Sequence, residues 1–368
     1  MDAALSSLID RIRAAAADRQ PLRIRGGGSK DFYGEPGAPG ELLSTTGLRG
    51  IVSYEPSELV VTVRAGTPLA ELEAVLAQQG QCLPFEPPHF NGGATVGGMV
   101  AAGLSGPARA SVGSVRDYVL GVTMVNGKGE TLVFGGQVMK NVAGYDVSRL
   151  MAGSLGTLGL IAEVSLKVLP VAPAEATLRF EMPQQQALDQ LNAWGGQPLP
   201  LNASDWVVDN GVPTLYLRLR GAVAAVEAAC RKLGGQRVEA VAEDWAATRD
   251  LKLPWFDERL TGAHKRDLWR LSVPQTAPAL ALEFPQYIEW QGAQRWLWAP
   301  ATAAAPLREA AARVGGHATL FRASRFGGSS DKAVGVSSPL DAVQQRIQRG
   351  LQKQFDPQGV FATGRMGI

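Results

Sequence analysis

The sequence predicts an α+β protein of two domains, and three observations lead to this prediction. The chain has 368 residues, a length that favours about two domains. Strand-like runs recur between amphipathic helices along the whole chain. The composition changes at the proline-punctuated stretch 170–173, beyond which strands and helices follow in a β-α-β-β-α-β order. We therefore expect one domain over residues 1–170, a second over 171–334, and a C-terminal helix and tail, 335–368, that return to the first.

The first half alternates short strands with helices. An amphipathic helix is expected over residues 3–18, because its leucines and isoleucines recur at helical spacing and its acidic residues distinguish it from a signal peptide. Thr67 is the expected N-cap of a second helix, with Pro68 at the first helical position and Gly80 at the end. A short helix is expected at 146–151. Strands are expected at residues 22–25, 50–54, 59–64, 119–125, 130–134 and 160–168.

The second half opens with a ferredoxin-like element and continues with more strands. Helices are expected at residues 184–194, 222–233, 304–313 and 339–354. Strands are expected at residues 177–180, 206–208, 214–220, near 238, and at 268–273, 287–291, 296–298 and 319–323.

Composition and charge exclude several classes of protein. The net charge of +2 indicates neither a nucleic acid nor an anionic membrane as partner. Two cysteines, Cys82 and Cys230, are too few for an iron–sulfur cluster of the chain's own, which needs four thiolates. They form no disulfide framework either, which favours a reducing compartment. No apolar run of about 18 residues exists, so we expect no membrane-spanning helix.

A glycine-rich stretch from Asn91 to Arg116 organises the first domain. It holds seven glycines and no acidic residue. Thr95 is the expected N-cap of a helix of small residues, Val96–Ala102. Free backbone N–H groups in such a turn can hold phosphate oxygens. The alternative is an ordinary flexible or buried turn.

A second glycine cluster, residues 25–29, favours the phosphate interpretation. Two separate glycine turns suit an extended diphosphate cofactor better than a mononucleotide. Neither turn has the GxxxxGK[ST] pattern of a Walker loop. Neither has the GxGxxG spacing and following acidic residue of a Rossmann fingerprint.

These motifs resemble those of flavoproteins of the vanillyl-alcohol-oxidase (PCMH) type. Residues 25–29 resemble the first phosphate loop, 94–98 the second, and 113–117 the segment that follows. Residues 140–146, the third glycine turn at 153–159 and the tail 355–365 resemble the branch of glycolate oxidase and D-lactate dehydrogenase. Within that branch, the third turn and the string LWRLSVP at 268–274 resemble the smaller FAD-binding subunits of bacterial glycolate oxidases.

The resemblance implies which residues bind FAD. Gly97 is expected where the backbone meets the cofactor, because a larger side chain there would fill the space that the ribityl-diphosphate needs. The backbone near Ile161 is expected at the edge of the flavin ring. Arg116 has two open interpretations, a cofactor contact or an ion pair with Asp117. The implied cofactor-binding residues are Arg25, Gly26, Gly27, Gly28, Ser29, Ala94, Thr95, Val96, Gly97, Gly98, Gly113, Ser114, Arg116 and Ile161.

Departures from the family's sequence pattern limit which of the family's properties can be expected of this chain. Ser29 stands where some relatives attach FAD covalently through histidine, so non-covalent FAD is expected. The metal-binding GDGNLH-like motif of the catalytic relatives is missing, so no metal is expected. Leu155 replaces the usual glutamate of the third turn, and residues 361–364 depart from the usual FNPG. FAD binding therefore carries over better than the substrate chemistry.

Two functions follow from the resemblance. The first is an FAD-binding subunit of a complex that oxidises glycolate or another 2-hydroxy acid. Its partners would be a larger FAD-binding subunit and an iron–sulfur subunit, with a quinone as an alternative electron acceptor. The second is a non-catalytic FAD-fold subunit for assembly or electron relay, without a substrate site. The implied location is the cytoplasm, with at most peripheral contact with the plasma membrane through partners.

Candidates for catalysis each have an alternative interpretation. Arg270 is a candidate for holding a carboxylate through its guanidinium fork, or it lies on a solvated strand face. Lys140 is a candidate for stabilising charge on a reduced flavin, or it belongs to a turn surface. Arg322 and Arg325 flank the last expected strand, and they are candidates for facing an anionic substrate or have no particular role. The basic cluster 264–266 is expected to be a solvated loop. Core or partner-facing positions are expected for Trp290, Trp296 and Trp298.

Overall fold

The computed structural model describes residues 3–136, 146–239, 241–257, 266–324, 329–361 and 364–367. The helices are α1 Ala3–Asp18, α2 Leu69–Gln78, α3 Val96–Ala102, α4 Arg109–Val112, α5 Val115–Tyr118, α6 Gln184–Gly195, α7 Val223–Leu233, α8 Ala242–Arg249, α9 Ala304–Arg313 and α10 Ala342–Phe355. The strands of the first half are β1 Leu22–Arg25, β2 Glu41–Ser44, β3 Ile51–Glu55, β4 Val60–Arg64, β5 Gln81–Cys82, β6 Val119–Val125, β7 Thr131–Gly135, β8 Leu160–Lys167 and β9 Leu169–Pro170. Those of the second half are β10 Ala174–Glu181, β11 Leu201–Asp209, β12 Val212–Gly221, β13 Gln236–Val238, β14 Asp267–Ser272, β15 Gln286–Glu289, β16 Gln294–Ala299 and β17 His317–Arg322.

The chain divides into two compact units. Unit 1 consists of Met1–Leu104, Ser114–Pro170 and Pro339–Ile368, and unit 2 consists of Ser105–Gly113 and Val171–Ser338. Both units combine helices with largely antiparallel sheets. The expected α+β class is confirmed.

Unit 1 is built on a five-stranded antiparallel sheet in the order β3-β4-β8-β6-β7. The β-branched residues of β4 suit a central strand, and its valines are buried. Helices α2 and α3 pack their apolar residues, such as Leu72 and Met99, into the core cluster on this sheet. A separate parallel pair, β1-β2, packs with α1 around Leu22 and Leu43 in a second cluster.

The start of α2 differs from the sequence prediction. The helix begins at Leu69 with Pro68 as its N-cap, and no side chain caps it. The Thr67 hydroxyl instead accepts a hydrogen bond from the backbone N–H of Gly50 at 2.9 Å. The hydroxyl is therefore committed to a turn that is distant in sequence. The expected helix at 146–151 is likewise only a 3-10 turn, Ser148–Met151.

Unit 2 is built on an eight-stranded antiparallel sheet in the order β13-β10-β12-β11-β15-β16-β14-β17. The predicted β-α-β-β-α-β order is present as β10-α6-β11-β12-α7-β13. Leucines of one sheet face pack against α6 and α7, and Trp269 and Leu271 pack with α9. The opposite face carries buried polar residues, among them Asp205, Arg218 and Glu289. The sequence did not predict this buried polar layer or helix α8.

Candidate cofactor site

The first glycine turn leaves a row of backbone donors free. Strand β1 ends at Arg25, whose carbonyl accepts from Thr45 N–H at 3.0 Å, and the turn follows directly. The backbone N–H groups of the four residues Gly26–Ser29 donate no hydrogen bond to any described residue. Gly27 is exposed, but Gly26 and Gly28 are half-buried and Ser29 is buried, and backbone donors removed from water require a partner. A run of consecutive N–H groups in a glycine turn is suited to the oxygens of a phosphate or diphosphate.

The first and second glycine turns pack backbone against backbone. A Cβ at Gly27 would lie 1.4 Å from the carbonyl oxygen of Gly93. A Cβ at Gly26 would lie 2.3 Å from the hydroxyl oxygen of Thr95. Glycine is therefore required at both positions by the contact between the turns, which holds the free donors in place.

The second turn has fewer free donors than expected. Thr95 is the N-cap of α3, as predicted, and its hydroxyl accepts from Gly98 N–H at 3.3 Å. The N–H of Val96 donates to Thr67 O, and the N–H of Gly97 donates to Ala65 O. The first turn of α3 therefore contributes close-packed surface to the site, while the first glycine turn contributes the donors.

The structure gives a different reason from the expected one for the absence of a side chain at Gly97. A Cβ at Gly97 would lie 2.6 Å from the Cβ of Ala65, at the end of β4. The space it would fill belongs to the packing of α3 on the sheet. The expectation that the missing side chain makes room for the cofactor is thus not what the structure shows.

The third glycine turn packs on α3 and completes an apolar wall. The N–H of Gly153 donates to Val100 O, and the N–H of Leu155 donates to Ala101 O. Leu155 has φ +51, a left-handed conformation that is uncommon for leucine. The wall continues into β8 at Ile161.

These elements surround one cleft within unit 1. Its cations are Arg25, Lys30 and Arg365, and its carboxylate is Asp31, which pairs with Arg25 at 2.7 Å. The positive balance suits an anionic ligand. The lining residues are Ile24, Arg25, Gly26, Gly27, Gly28, Ser29, Lys30, Asp31, Thr45, Ala65, Thr95, Gly97, Gly98, Ala101, Ala102, Leu155, Gly156, Gly159, Ile161 and Arg365.

Five implied cofactor-binding residues do not line this cleft. Ala94 and Val96 are buried in the core, where they position the second turn. Ser114 forms a capping box with Asp117, whose carboxylate accepts from the Ser114 N–H at 2.8 Å and from its hydroxyl at 3.0 Å. Arg116 is exposed and forms no ion pair with Asp117. Gly113 belongs to unit 2.

Several lining residues carried no assignment from the sequence. Lys30, Thr45, Ala65 and Arg365 enter the cleft from four different segments. A local signal existed only for Arg365, which closes the tail motif. The others become neighbours of the glycine turns through the tertiary fold.

Unit 2 contains a separate cavity of about 490 Å³. Its polar lining includes Asp205, Asp209 and Asp244, and its walls include Trp245 and Trp255. Among the described residues that line it there is no arginine, lysine or histidine. The described lining therefore offers no cationic side chain to pair with a carboxylate ligand.

A buried hydrogen-bond network borders this cavity. The Tyr287 hydroxyl donates to Asp205 at 2.6 Å, and the Thr248 hydroxyl donates to the same carboxylate at 3.2 Å. Glu289 lies opposite Asp205 in the sheet and accepts from Gln294 at 2.8 Å. Burial, followed by the nearby Asp205, raises the pKa of Glu289 to about 8.

Neither of the described catalytic candidates, Arg270 and Arg322, lines the cofactor cleft. Arg270 is half-buried on β14, with its guanidinium 5.4 Å from the ring centre of Phe321. Arg322 donates to Phe256 O at 2.9 Å and therefore holds a neighbouring turn. Lys140, His264, Lys265 and Arg325 lie outside the described residues.

The three tryptophans singled out in the sequence, Trp290, Trp296 and Trp298, are buried. Within the described ranges, no cluster of three histidine, cysteine or acidic residues is arranged to hold a metal ion. None of the described helices is both long and apolar enough to cross a bilayer.

Comparisons with known proteins agree with the interpretation of this cleft as a cofactor site. A family model described as an FAD binding domain matches residues 4–135. The glycolate oxidase subunit GlcE of Escherichia coli (strain K12) is 45% identical over 360 residues, which are 98% of this chain and 96% of that protein. The chain belongs to the GlcE family. The glycolate oxidase subunit GlcD of Bacillus subtilis (strain 168) matches a shorter part, 31% identical over 46% of this chain and 36% of GlcD.

Solved structures support the fold of this GlcE-family chain. An alkyldihydroxyacetonephosphate synthase aligns with a TM-score of 0.65 over 96% of this chain and 74% of the synthase, at 15% identity. That likeness concerns the fold alone. With the family match, it confirms the expected PCMH-type FAD-binding fold, and the free donors of Gly26–Ser29 fit the diphosphate that FAD contains.

Proposed function

We propose that this chain is the FAD-binding subunit of a complex that oxidises a 2-hydroxy acid, with glycolate as the first candidate. The row of free N–H groups at Gly26–Ser29 carries the proposal, in a chain that is 45% identical to GlcE. FAD supplies two-electron oxidation chemistry when it is bound. The chain's own contribution is to bind and orient this cofactor. Unit 1 is proposed as the FAD-binding domain, and unit 2 as a cap domain that would carry any substrate site.

We assign separate tasks to the parts of the cleft. The N–H groups of Gly26–Ser29 hold the diphosphate, and Lys30 adds positive charge beside them. Ala101, Ala102 and Ile161 provide apolar surface for the flatter, less polar part of the cofactor. Thr95 fixes the second turn against the first through its position beside Gly26.

Electrons must leave this subunit for a partner. Two cysteines, both free, cannot supply the four thiolates of an iron–sulfur cluster. We propose the larger FAD-binding subunit and an iron–sulfur subunit as partners, with a quinone as the alternative acceptor. We also propose that contact with the plasma membrane is peripheral and made through these partners.

Reconstitution with FAD tests the cofactor assignment. Apoprotein that is mixed with FAD and desalted is expected to keep a yellow colour and to quench flavin fluorescence. Protein that stays colourless would remove the basis of the proposal.

The cavity of unit 2 favours a second candidate function. A 2-hydroxy acid is an anion at neutral pH, and the cavity presents three aspartates with no cation among its described lining residues. We propose as the alternative that this chain relays electrons or supports assembly, and has no substrate site of its own.

Anaerobic mixing separates the two candidates. The FAD-loaded chain is mixed with glycolate or D-lactate, first alone and then with the larger subunit. Loss of oxidised flavin absorbance in the isolated chain supports a substrate site in this subunit. Loss only in the presence of the larger subunit supports the relay.

A further inference from the structure

The end of the chain is tied to the loop that follows the first glycine turn. The Arg365 guanidinium donates through Nη2 to Tyr33 O at 2.5 Å and to Lys30 O at 3.3 Å. The backbone oxygen of Arg365 accepts from Glu35 N–H at 3.0 Å. The segment Gly364–Gly367 therefore lies against this loop, and Arg365 lines the cofactor cleft.

No protein carboxylate among the described residues is paired directly with Arg365. Its side chain is bonded to two neutral carbonyls, and no acidic residue of the described chain forms an ion pair with it. Arg25, in the same cleft, is instead paired with Asp31. Arg365 is half-buried, and burial lowers its pKa, while the nearby Asp31 acts in the opposite direction. Asp31 is itself paired with Arg25. A partly buried cation without a directly paired counter-ion is costly, so the site favours an anion.

The position of Arg365 indicates which anion. It lines the same cleft as the free N–H groups of Gly26–Ser29, which suit phosphate oxygens. A guanidinium has five N–H donors in a planar fork, and the carbonyl contacts use only Nη2. The remaining donors are available for a phosphate.

Building on the proposed FAD site, we propose that Arg365 binds the diphosphate of FAD and thereby couples cofactor binding to docking of the C-terminal segment Gly364–Gly367. Coupling of this kind is reciprocal. FAD stabilises the docked segment, and loss of the segment weakens FAD binding by the same factor.

Affinity measurements test the contact. Arg365→Gln is expected to weaken FAD binding by about 10- to 100-fold, because one charge-assisted hydrogen-bonded contact is lost. ADP contains the diphosphate without the flavin, so its competition for the site is expected to weaken by a similar factor. Arg365→Lys is expected to restore part of the affinity, because it restores the charge without the fork. Arg349→Gln removes an exposed arginine of α10 and is expected to bind FAD like the parent chain.

The salt dependence of FAD affinity distinguishes a contact between Arg365 and the diphosphate from a purely structural role of Arg365 in the neighbouring loop. If Arg365 meets the diphosphate, the parent chain loses FAD affinity with added salt more steeply than Arg365→Gln does. If Arg365 only braces the loop Lys30–Glu35, the two slopes are equal and Arg365→Lys restores nothing. That second pattern overturns the proposal.

Amide exchange tests the coupling in the full-length protein. The peptide that covers Gly364–Gly367 is expected to exchange more slowly when FAD or ADP is bound, and this protection is expected to disappear in Arg365→Gln. Equal FAD affinity in parent and variant, or exchange unchanged by FAD, overturns the inference but leaves the FAD site standing. Failure of the parent chain to bind FAD overturns the proposed function itself.

Discussion

Gly27 and Gly93 meet so closely that a Cβ at Gly27 would lie 1.4 Å from the carbonyl oxygen of Gly93. This contact joins two turns that are distant in sequence. The contact holds the free donors of Gly26–Ser29 in place together with the hydrogen bond from Asp31 N–H to Gly28 O at 3.2 Å and the ion pair between Arg25 and Asp31. The contact makes the cofactor site sensitive to a single methyl group.

Gly27→Ala is expected to lower the free energy of unfolding by about 3 kcal/mol and to abolish FAD binding, because the added Cβ forces the two turns apart. Urea unfolding and flavin fluorescence measure the two effects. Gly350→Ala is the matched control, since a Cβ there meets nothing within 4 Å. It is expected to bind FAD normally and to stabilise α10 by about 0.5–1 kcal/mol. A Gly27→Ala chain with parental FAD affinity would contradict the proposed frame.

Gly97→Ala is expected to destabilise unit 1 by about 1–3 kcal/mol, because its Cβ would lie 2.6 Å from the Cβ of Ala65. Thermal unfolding of the apoprotein measures this. Ala65→Gly in the same chain is expected to restore part of the stability by removing the opposing methyl. If Gly97→Ala reduces FAD affinity while apoprotein stability is unchanged, the Cβ meets cofactor and not Ala65.

Glu289 is expected to make stability fall as the pH rises. Its pKa is about 8 in the folded chain and 4.5 when unperturbed. Between these values the folded state holds a proton that the unfolded state has released, so the free energy of unfolding decreases with rising pH and levels off above pH 8. Glu289→Gln is expected to remove this decrease. Urea unfolding at a series of pH values measures it, and an unchanged slope in the variant would refute the assignment.

Asp356 is expected to hold the tail through two backbone bonds. Its carboxylate accepts from Val360 N–H at 2.8 Å and from Phe361 N–H at 2.6 Å. Asp356→Ala leaves both buried N–H groups without this partner and is expected to cost about 2–4 kcal/mol. Asp356→Asn keeps one acceptor and is expected to cost less. Thermal unfolding ranks the two variants, and a loss well below about 1 kcal/mol in Asp356→Ala would show that these bonds contribute little to stability.

Sequence patterns predicted those features that depend on local interactions. Thr95 and the helix Val96–Ala102 follow from a capping residue and a run of small apolar residues, and both are present. Thr67 has the same local signal, but its hydroxyl is taken by Gly50, and the cap is lost. A local sequence pattern carries no information about a competing hydrogen-bond partner that only the tertiary fold supplies.

The features that the sequence did not predict depend on burial and on contacts between residues that are distant in sequence. Asp205 and Glu289 are buried within strands, although a polar residue in a strand is normally expected on the solvent side. Arg365 reaches Lys30 across 335 residues of sequence. The composition of the tail alone does not indicate this contact.

The segments that line the cofactor cleft have a consequence for synthesis of the protein. Arg365 and Lys30 line this cleft although they are 335 residues apart in the sequence. Translation therefore produces the glycine turns well before it produces Arg365. If Arg365 contributes to FAD binding as proposed, the nascent chain binds FAD weakly until the segment Gly364–Gly367 has been made and has docked.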